Sequence, residues 1–219
     1  MRAKSFLIIG AGRFGSAVAE TLFQAGHEVV VIDVDETAVE QVMTSATQAL
    51  IANGTEERAL RDLGVSNFDA VVVAIGDHLE ASVLATAAAK DAGAQRVVAK
   101  APSSLAERIL RRVGADEVVR PERDMGVRLA HHLVTPSLVD AFALGEAYGV
   151  MEVEANAVLS GRLAKLRLPS RFGVQVIAIN RAGRLTVSPG ADDEVVAGDQ
   201  LVLVGSNEAM ARLRQHLNP

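Results

Sequence analysis

Cysteine and tryptophan are absent from this chain of 219 residues, and tyrosine occurs once. The lack of cysteine excludes disulfide bonds, thiolate catalysis and metal sites built from cysteine. Aromatic residues make up only 3% of the chain, so the hydrophobic residues, 49% in total, are mainly aliphatic. This composition is typical of parallel strands that are buried on both faces and of helices that pack closely against them.

Long apolar runs and clusters of basic residues are missing as well. No segment reaches about 18 consecutive apolar residues, so we expect no membrane-spanning helix. The formal net charge is -5 and no lysine and arginine tract stands out, which argues against nucleic-acid binding. The short apolar stretch near the start breaks into glycines, and we interpret it as a strand rather than a signal peptide.

A glycine-rich turn follows that first apolar stretch. Gly10, Gly12 and Gly15 have the GxGxxG spacing, and an amphipathic segment comes next. The first glycine permits a tight turn, the second lets backbone N–H groups approach a phosphate, and the third lets the helix pack near the strand. The helix N-terminus then offers donors and a positive dipole end to a pyrophosphate. The candidate phosphate loop comprises Gly10, Ala11, Gly12, Arg13, Phe14 and Gly15.

Asp33 stands at the end of the next apolar run, VVVI. An acidic residue there accepts hydrogen bonds from ribose hydroxyls in nucleotide-binding Rossmann units. We therefore predict a ribose contact for Asp33, with Val34 and Asp35 in the same loop.

Apolar segments of strand length alternate with helical segments as far as residue 119. The predicted strands are 6–9, 29–32, 49–51, 70–74, 97–99 and 117–119, and the predicted helices are 14–24, 36–45, 56–63, 79–91 and 104–113. This alternation predicts an α/β fold with a doubly wound parallel Rossmann sheet in the order 3-2-1-4-5-6.

The pattern changes after Pro121. Residues 124–146 have a mostly helical pattern that is broken near Thr135, and short strands follow at 174–180, 185–187 and 200–204 before a final helix at 207–217 with Asn207 as its N-cap. We predict a Rossmann N-lobe over 1–123, a crossover helix and linker over 124–148, and a small α+β C-lobe over 149–219.

Further candidate ligand residues follow the later strands, because ligands bind at the carboxyl ends of strands in such sheets. They are Asn53, Gly54 and Thr55 after the third strand, Ala74, Ile75 and Gly76 after the fourth, and Lys100 after the fifth. Asn53 and Thr55 could bind an adenine edge, although Thr55 could instead cap the next helix. For Lys100 we favour a position facing the cleft over a solvated strand end.

Two charged residues near the same crevice allow two interpretations each. Arg13 could reach a terminal phosphate with a bidentate contact, or it could be a solvated residue of the first helical turn. Glu122 could support a cation beside the phosphates, or it could favourably offset the positive dipole end of a helix.

Catalytic groups are not evident in the sequence. No pairing of a nucleophile with a base stands out, so we do not expect an enzyme. The alternative is an NAD-dependent oxidoreductase or a fragment of one. The C-terminal part is too small for the substrate domain that such a dehydrogenase would need to close over its cofactor.

Seven sequence blocks together resemble one family. They are IGAGRFG, ANGTE, VAIG and RPERDMG in the first part, then GRLAKL, RFGVQVIAI and GDQLVLVG in the second. The chain resembles the regulator-of-potassium-conductance (RCK) family of the KtrA/TrkA type, whose members are cytosolic gating subunits of potassium transporters. With one N-lobe and one C-lobe, it is similar to the short KtrA form.

The resemblance implies ligands, partners and a location. It implies an N-lobe that binds ATP, ADP or NAD(H), with Arg13 at the terminal phosphate and Glu122 supporting a divalent or monovalent cation. It implies a homodimer assembled into an octameric ring, a KtrB/TrkH-like membrane potassium-translocating subunit as partner, and cyclic di-AMP as a ligand of the C-lobe. The helix over about 125–133 would cross to the partner subunit, and the protein would be cytoplasmic, held at the inner face of the membrane by its partner.

Overall fold

The computed structural model describes residues 2–76, 78–134, 138–145 and 147–217. The chain divides into two compact units, Met1–Glu122 and Arg123–Pro219, and each contains its own hydrophobic core. Within the described residues, no helix is both long enough and apolar enough to span a membrane.

Six parallel strands form the sheet of the first unit. They are β1 (Ser5–Ile9), β2 (Glu28–Asp33), β3 (Gln48–Ile51), β4 (Ala70–Val73), β5 (Val97–Lys100) and β6 (Glu117–Val119). Their order is β3-β2-β1-β4-β5-β6, which confirms the predicted doubly wound topology. The strands read as continuous apolar runs because successive side chains enter two different cores. Ile8 lies in one core, and Leu7 and Ile9 lie in the other.

Helices connect these strands on both faces of the sheet. They are α1 (Arg13–Gln24), α2 (Glu36–Val42), α3 (Glu57–Asp62), α4 (Leu79–Asp91) and α5 (Ser104–Val113). Side-chain caps fix two of the starts, because Asp35 accepts the N–H of Thr37 and Ser103 accepts the N–H of Ala106. The predicted helix over 36–45 is α2 followed by a 3₁₀ turn, Met43–Ser45.

The predicted capping role of Thr55 is wrong. Helix α3 starts one residue after Glu56, which is its N-cap and makes no side-chain capping bond. The hydroxyl and backbone N–H of Thr55 both donate to Oδ1 of Asn53, at 2.8 and 3.1 Å. Asn53 therefore forms a tight turn with Thr55, and this local bond outcompetes the cap.

The second unit is built on a five-stranded antiparallel sheet in the order β11-β10-β13-β8-β7. Its strands are β7 (Leu138–Leu144), β8 (Tyr148–Glu154), β10 (Val174–Arg181), β11 (Arg184–Val187) and β13 (Gln200–Ser206), and a separate pair is β9 (Gly161–Arg162) and β12 (Glu194–Val195). Its helices are α7 (Leu163–Leu166), α8 (Leu168–Phe172) and α9 (Asn207–Leu217), and α6 (Pro121–Val134) enters it from the first unit. The small C-terminal α+β domain is thereby confirmed.

The helical prediction for 124–146 is wrong at its C-terminal end. Helix α6 ends at Val134, and Leu138–Leu144 forms β7, which pairs antiparallel with β8. Short apolar segments fit either period, and here the hydrogen-bonding partner β8 decides in favour of a strand. Part of the predicted linker is therefore an edge of the second sheet, and the predicted break at Thr135 lies outside the described residues.

The last helix has the predicted bounds, but its capping residue differs from the prediction by one position. Helix α9 begins at Asn207, and the hydroxyl of Ser206 accepts the N–H of Ala209 at 3.1 Å. Ser206 is therefore the capping residue in place of Asn207. The apolar face of α9 packs on the sheet through Met210 and Leu213, which lie in one core with Leu203.

Candidate functional site

Two glycines, one in the turn between β1 and α1 and one in the first turn of α1, are required by chain packing. Gly10 has φ +108°, and a Cβ there would lie 3.1 Å from the carbonyl carbon of Ala74. A Cβ on Gly15 would overlap the carbonyl oxygen of Gly10. The N–H of Gly10 also donates to the carbonyl of Ile32, which fixes the turn against β2. Side chains at these positions are thus excluded by the protein itself.

Gly12 differs from these two glycines because the fold does not require it. Its φ is -67°, and a Cβ would meet no atom within 4 Å. Gly12 is the N-cap of α1 and provides no side-chain capping bond. The open space in front of the helix N-terminus is what a phosphate needs in order to reach the backbone donors.

Asp33 is engaged with the glycine-rich turn. Its Oδ2 accepts the N–H of Ala11 at 2.7 Å, and its Oδ1 accepts the N–H of Asp35 at 3.0 Å. The carboxylate therefore joins the loop after β1 to the loop after β2. The ribose contact predicted for Asp33 stays a prediction, and the structure adds a role in ordering the loop.

The loop after β3 is held by its own side chains and by a close approach to β1. Asn53 donates from its amide to Glu56 at 2.9 Å while its carbonyl accepts from Thr55. A Cβ on Gly54 would overlap Cγ2 of Ile9, so only glycine fits there. This loop is therefore fixed before any ligand binds.

The loop after β4 closes the opposite side of the crevice. Ala74 donates its N–H to the carbonyl of Ile9, and the carbonyl of Ile75 accepts the hydroxyl of Ser82 from α4. A Cβ on Gly76 would lie 3.2 Å from Nζ of Lys100, which is a tight contact.

A cleft of about 540 Å³ lies between these loops at the carboxyl ends of the strands. The predicted residues that line it are Gly10, Gly12, Asp33, Val34, Asp35, Asn53, Gly54, Thr55, Ala74, Ile75 and Gly76. Sequence reasoning missed five lining residues, namely Ile9, Ile32, Ala52, His78 and Ala81. His78 could have been found from its position, because it directly precedes the predicted helix over 79–91.

Six predicted residues do not line this cleft: Ala11, Arg13, Phe14, Gly15, Lys100 and Glu122. The first four belong to the turn and the first helical residues after β1. Lys100 and Glu122 form an ion pair beside Gly76, with 2.6 Å between Nζ and Oε1.

The Lys100–Glu122 pair is asymmetric in its burial. The Lys100 side chain is 12% exposed and the Glu122 side chain 67%. The hydrogen bond from Lys100 holds the pKa of the Glu122 carboxyl below its ordinary value, and Glu122's own backbone hydrogen bond and the Arg13 charge add to this effect. Among the described residues, no group of three or more histidine or acidic side chains forms a metal cluster, and the cation predicted at Glu122 stays a prediction.

A second cavity, of about 350 Å³, lies in the second unit. It is bordered by α7, α8 and the segment around Pro189, with Arg167 and Gln175 among its polar lining residues. Cyclic di-AMP binding by this part of the chain stays a prediction.

Comparisons with known proteins agree with this architecture. The sequence matches the TrkA-N domain family over residues 6–121 and the TrkA-C domain family over residues 150–218. The Ktr system potassium uptake protein C of Bacillus subtilis (strain 168) is 36% identical over 215 residues, which cover 98% of this chain and 97% of that protein. The Ktr system potassium uptake protein A of Vibrio alginolyticus is 34% identical, with 95% of both chains covered.

Among solved structures, the GsuK RCK domain has a similar fold. It aligns with a TM-score of 0.69 at 16% identity, and the alignment covers all of this chain and 48% of that one. These relatives are potassium uptake proteins and an RCK domain rather than oxidoreductases, in agreement with the expectation of a chain that is not an enzyme. Because both domain families match in order and the Ktr proteins match over nearly their full length, the chain belongs to the TrkA/Ktr family of RCK potassium uptake proteins.

Proposed function

We propose that this protein is a cytosolic, nucleotide-sensing regulatory subunit of a membrane potassium-uptake system. The observation that carries the proposal is the cleft itself. It combines a glycine turn that the fold requires at Gly10 and Gly15 with open space at Gly12, where the fold requires nothing. A pyrophosphate group explains this combination, because it needs close access to the N-terminus of α1.

ATP and ADP are the proposed ligands, with NAD(H) as an alternative dinucleotide in the same cleft. A GsuK channel with the same RCK fold has been solved bound to NAD, and another GsuK structure bound to ADP. The proposed contacts are phosphate at the turn from Gly10 to Gly15, ribose at Asp33, and base in the part of the cleft near Val34 and the loop after β3. Arg13 would serve the terminal phosphate, and a divalent or monovalent cation would bind near Glu122.

The proposed partner is a KtrB/TrkH-like membrane potassium-translocating subunit, at the inner face of the membrane. The curated relatives are named potassium uptake proteins, and the described residues of this chain contain no helix that could cross a membrane. In this proposal, a separate membrane subunit conducts the ion. The second unit, over about 149–219, would be the C-lobe, with cyclic di-AMP as a proposed ligand.

Homodimers joined into an octameric ring are the proposed assembly. Helix α6 supports this proposal because it presents exposed apolar side chains at helical spacing, among them Met125, Leu129 and Leu133. An apolar stripe of this kind is covered when a second copy packs on it. Nucleotides that bind the two ring conformations with different affinities would shift the ring between them.

Potassium flux tests the function. Liposomes that contain the membrane subunit are mixed with this protein, and flux is recorded with ATP, ADP, NADH or no nucleotide. We expect flux to differ between ATP and ADP. Flux that ignores nucleotides would refute nucleotide gating, and NADH oxidation by the purified protein would favour the oxidoreductase alternative.

A further inference from the structure

The ion pair between Lys100 and Glu122 lies beside the cleft, next to Gly76. Lys100 is the last residue of β5, at the carboxyl end where ligands bind in parallel sheets. Its Nζ lies 3.2 Å from the point that a Cβ on Gly76 would occupy, and Gly76 lines the cleft. No side chain at position 76 therefore separates the ammonium group from the cleft.

An aromatic ring also lies near the ammonium group. Its Nζ stands 5.9 Å from the ring centroid of Phe14, on the first turn of α1. Among the described residues, Glu122 is the only carboxylate in salt-bridge contact with Lys100. A lysine that is nearly buried needs a counter-ion, because desolvation of an unpaired charge is costly.

Loss of this contact costs less for the Glu122 carboxylate than for the Lys100 ammonium group, because the carboxylate is the more exposed of the two. Its side chain is 67% exposed, so water can solvate the carboxylate once the ammonium group turns away. Glu122 is also the second residue of α6, where the helix dipole favours a negative charge. The pair thus joins a nearly buried cation to an anion that remains stable without it.

We propose that Glu122 is an internal competitor for Lys100, and that a nucleotide phosphate must take Lys100 from Glu122 in order to bind. This inference rests on the proposed nucleotide site and goes one step further. It makes the Lys100–Glu122 pair a specificity determinant, because only ligands with enough phosphate charge displace the carboxylate. A phosphate-free nucleoside in the same cleft leaves the pair intact.

The exchange has a consequence for the start of α6. Once Lys100 has turned to phosphate, the Glu122 carboxylate is free in the first turn of a helix that continues into the second unit. The cation proposed near Glu122 would then meet a released carboxylate rather than one already paired with an ammonium group.

Titration calorimetry on the full chain tests the exchange, with EDTA present to exclude divalent cations. We expect Glu122→Gln to tighten ATP binding roughly three- to fivefold, the range of a partly exposed ion pair. The gain should be smaller for AMP and absent for adenosine. Glu117→Gln is the matched control, because Glu117 pairs with Arg96 outside the cleft lining, and it should leave every affinity unchanged.

A double-mutant cycle separates exchange from simple repulsion between Glu122 and phosphate. Lys100→Gln should weaken ATP binding, and in that background Glu122→Gln should no longer tighten it. Equal tightening in both backgrounds, or no tightening in either, would overturn the exchange. If Lys100→Gln does not fold, Glu122→Gln alone still decides, because weaker or unchanged ATP binding contradicts internal competition. A wild-type chain that binds no nucleotide would refute the proposed function as well, whereas binding without the cycle coupling refutes the exchange alone.

Discussion

Arg13 is the first residue of α1 and directly follows Gly12, where the space is open. Its guanidinium adds to the lowering of the Glu122 pKa, so positive charge does reach this side of the crevice. Arg13 does not line the cleft of its own chain. A terminal phosphate that projects beyond the glycine turn, or a phosphate held by a second copy, would be the group that it can serve.

We predict that Arg13→Ala weakens ATP binding more than ADP binding, by about 1.5–3 kcal/mol for the lost charge-assisted contact. Calorimetry with both nucleotides measures the two losses. Arg58→Ala is a suitable control, because Arg58 is an exposed arginine on α3 and pairs only loosely with Asp62. Equal weakening of ATP and ADP would contradict a role at the terminal phosphate.

Asp33 shows how the place of a residue in the fold can follow from the sequence while its hydrogen bonds do not. The sequence places an acid at the end of β2, and the structure places that acid in the crevice as expected. The hydrogen bond from Asp35 is local, whereas the one from the N–H of Ala11 depends on the approach of two loops that are far apart in sequence. No local pattern contains that information.

At the scale of elements, the turn between β1 and α1 separates glycines needed by the fold from one needed by a ligand. Gly15 packs against the backbone of Gly10, so a side chain there forces the helix away from the strand. Gly12 meets nothing in the protein and has an ordinary φ. Substitutions at these two positions of one motif can therefore separate an effect on folding from an effect on ligand binding.

Alanine at Gly15 should mainly reduce stability, whereas alanine at Gly12 should mainly reduce nucleotide binding. We predict that Gly15→Ala lowers the free energy of unfolding by about 1–3 kcal/mol, as overpacking does. Gly12→Ala should change the free energy of unfolding by less than about 1 kcal/mol, the scale of an N-cap change, yet abolish nucleotide binding. Urea unfolding and calorimetry on both variants provide the measurements. Unimpaired binding by the folded Gly12→Ala variant would refute the phosphate role of the turn.

An ion pair in the second unit joins the end of β10 to the residue that precedes β13. Asp199, with its side chain only 2% exposed, accepts two hydrogen bonds from Arg181 at the end of β10 and one from the N–H of Val196. The hydrogen bonds from Arg181 are the main cause that lowers the pKa of Asp199, despite desolvation. An acid with a lowered folded-state pKa stabilises the fold above its unfolded pKa and loses that effect as pH falls through the folded value.

We therefore predict that Asp199→Asn destabilises the second unit by about 1.5–3 kcal/mol at neutral pH, the scale of hydrogen bonds to charged groups. The difference from wild type should persist to about pH 5 and shrink below about pH 4, the ordinary pKa of aspartate, where the unfolded chain takes up a proton that the folded carboxylate resists. Amide hydrogen exchange in β10 and β13 at several pH values measures it. Asp192→Asn, at an exposed loop position, should show no such pH dependence. A constant difference down to pH 2 would contradict this linkage.

At the scale of the whole molecule, the exposed side of α6 bears on assembly. Met125, Leu129 and Leu133 follow at intervals of four, with Leu129 56% and Leu133 71% exposed. Residues at this spacing share one helix face. A second copy of the chain is the occupant that the proposed ring requires.

Leu129→Glu should weaken self-association, because it places a charge in the apolar face that a partner would bury. Light scattering at micromolar concentration should show a lower average mass for this variant than for wild type, with the helical content unchanged by circular dichroism. Arg58→Glu, which adds a glutamate to an almost fully exposed position, serves as the control. A wild-type monomer at this concentration would refute the ring.

The sequence by itself determined the alternation of strands and helices, the glycine turn and the position of Asp33, because short-range periodicity and glycine spacing encode them. The sheet order then followed from the doubly wound fold class that this alternation indicates. Tertiary structure alone decided that Leu138–Leu144 is a strand, since its apolar pattern fits two periods and only pairing with β8 selects one. It also decided that Lys100 is paired with Glu122. Lys100 and Glu122 are 22 positions apart on different elements, and such contacts arise only when the sheet brings strand ends together.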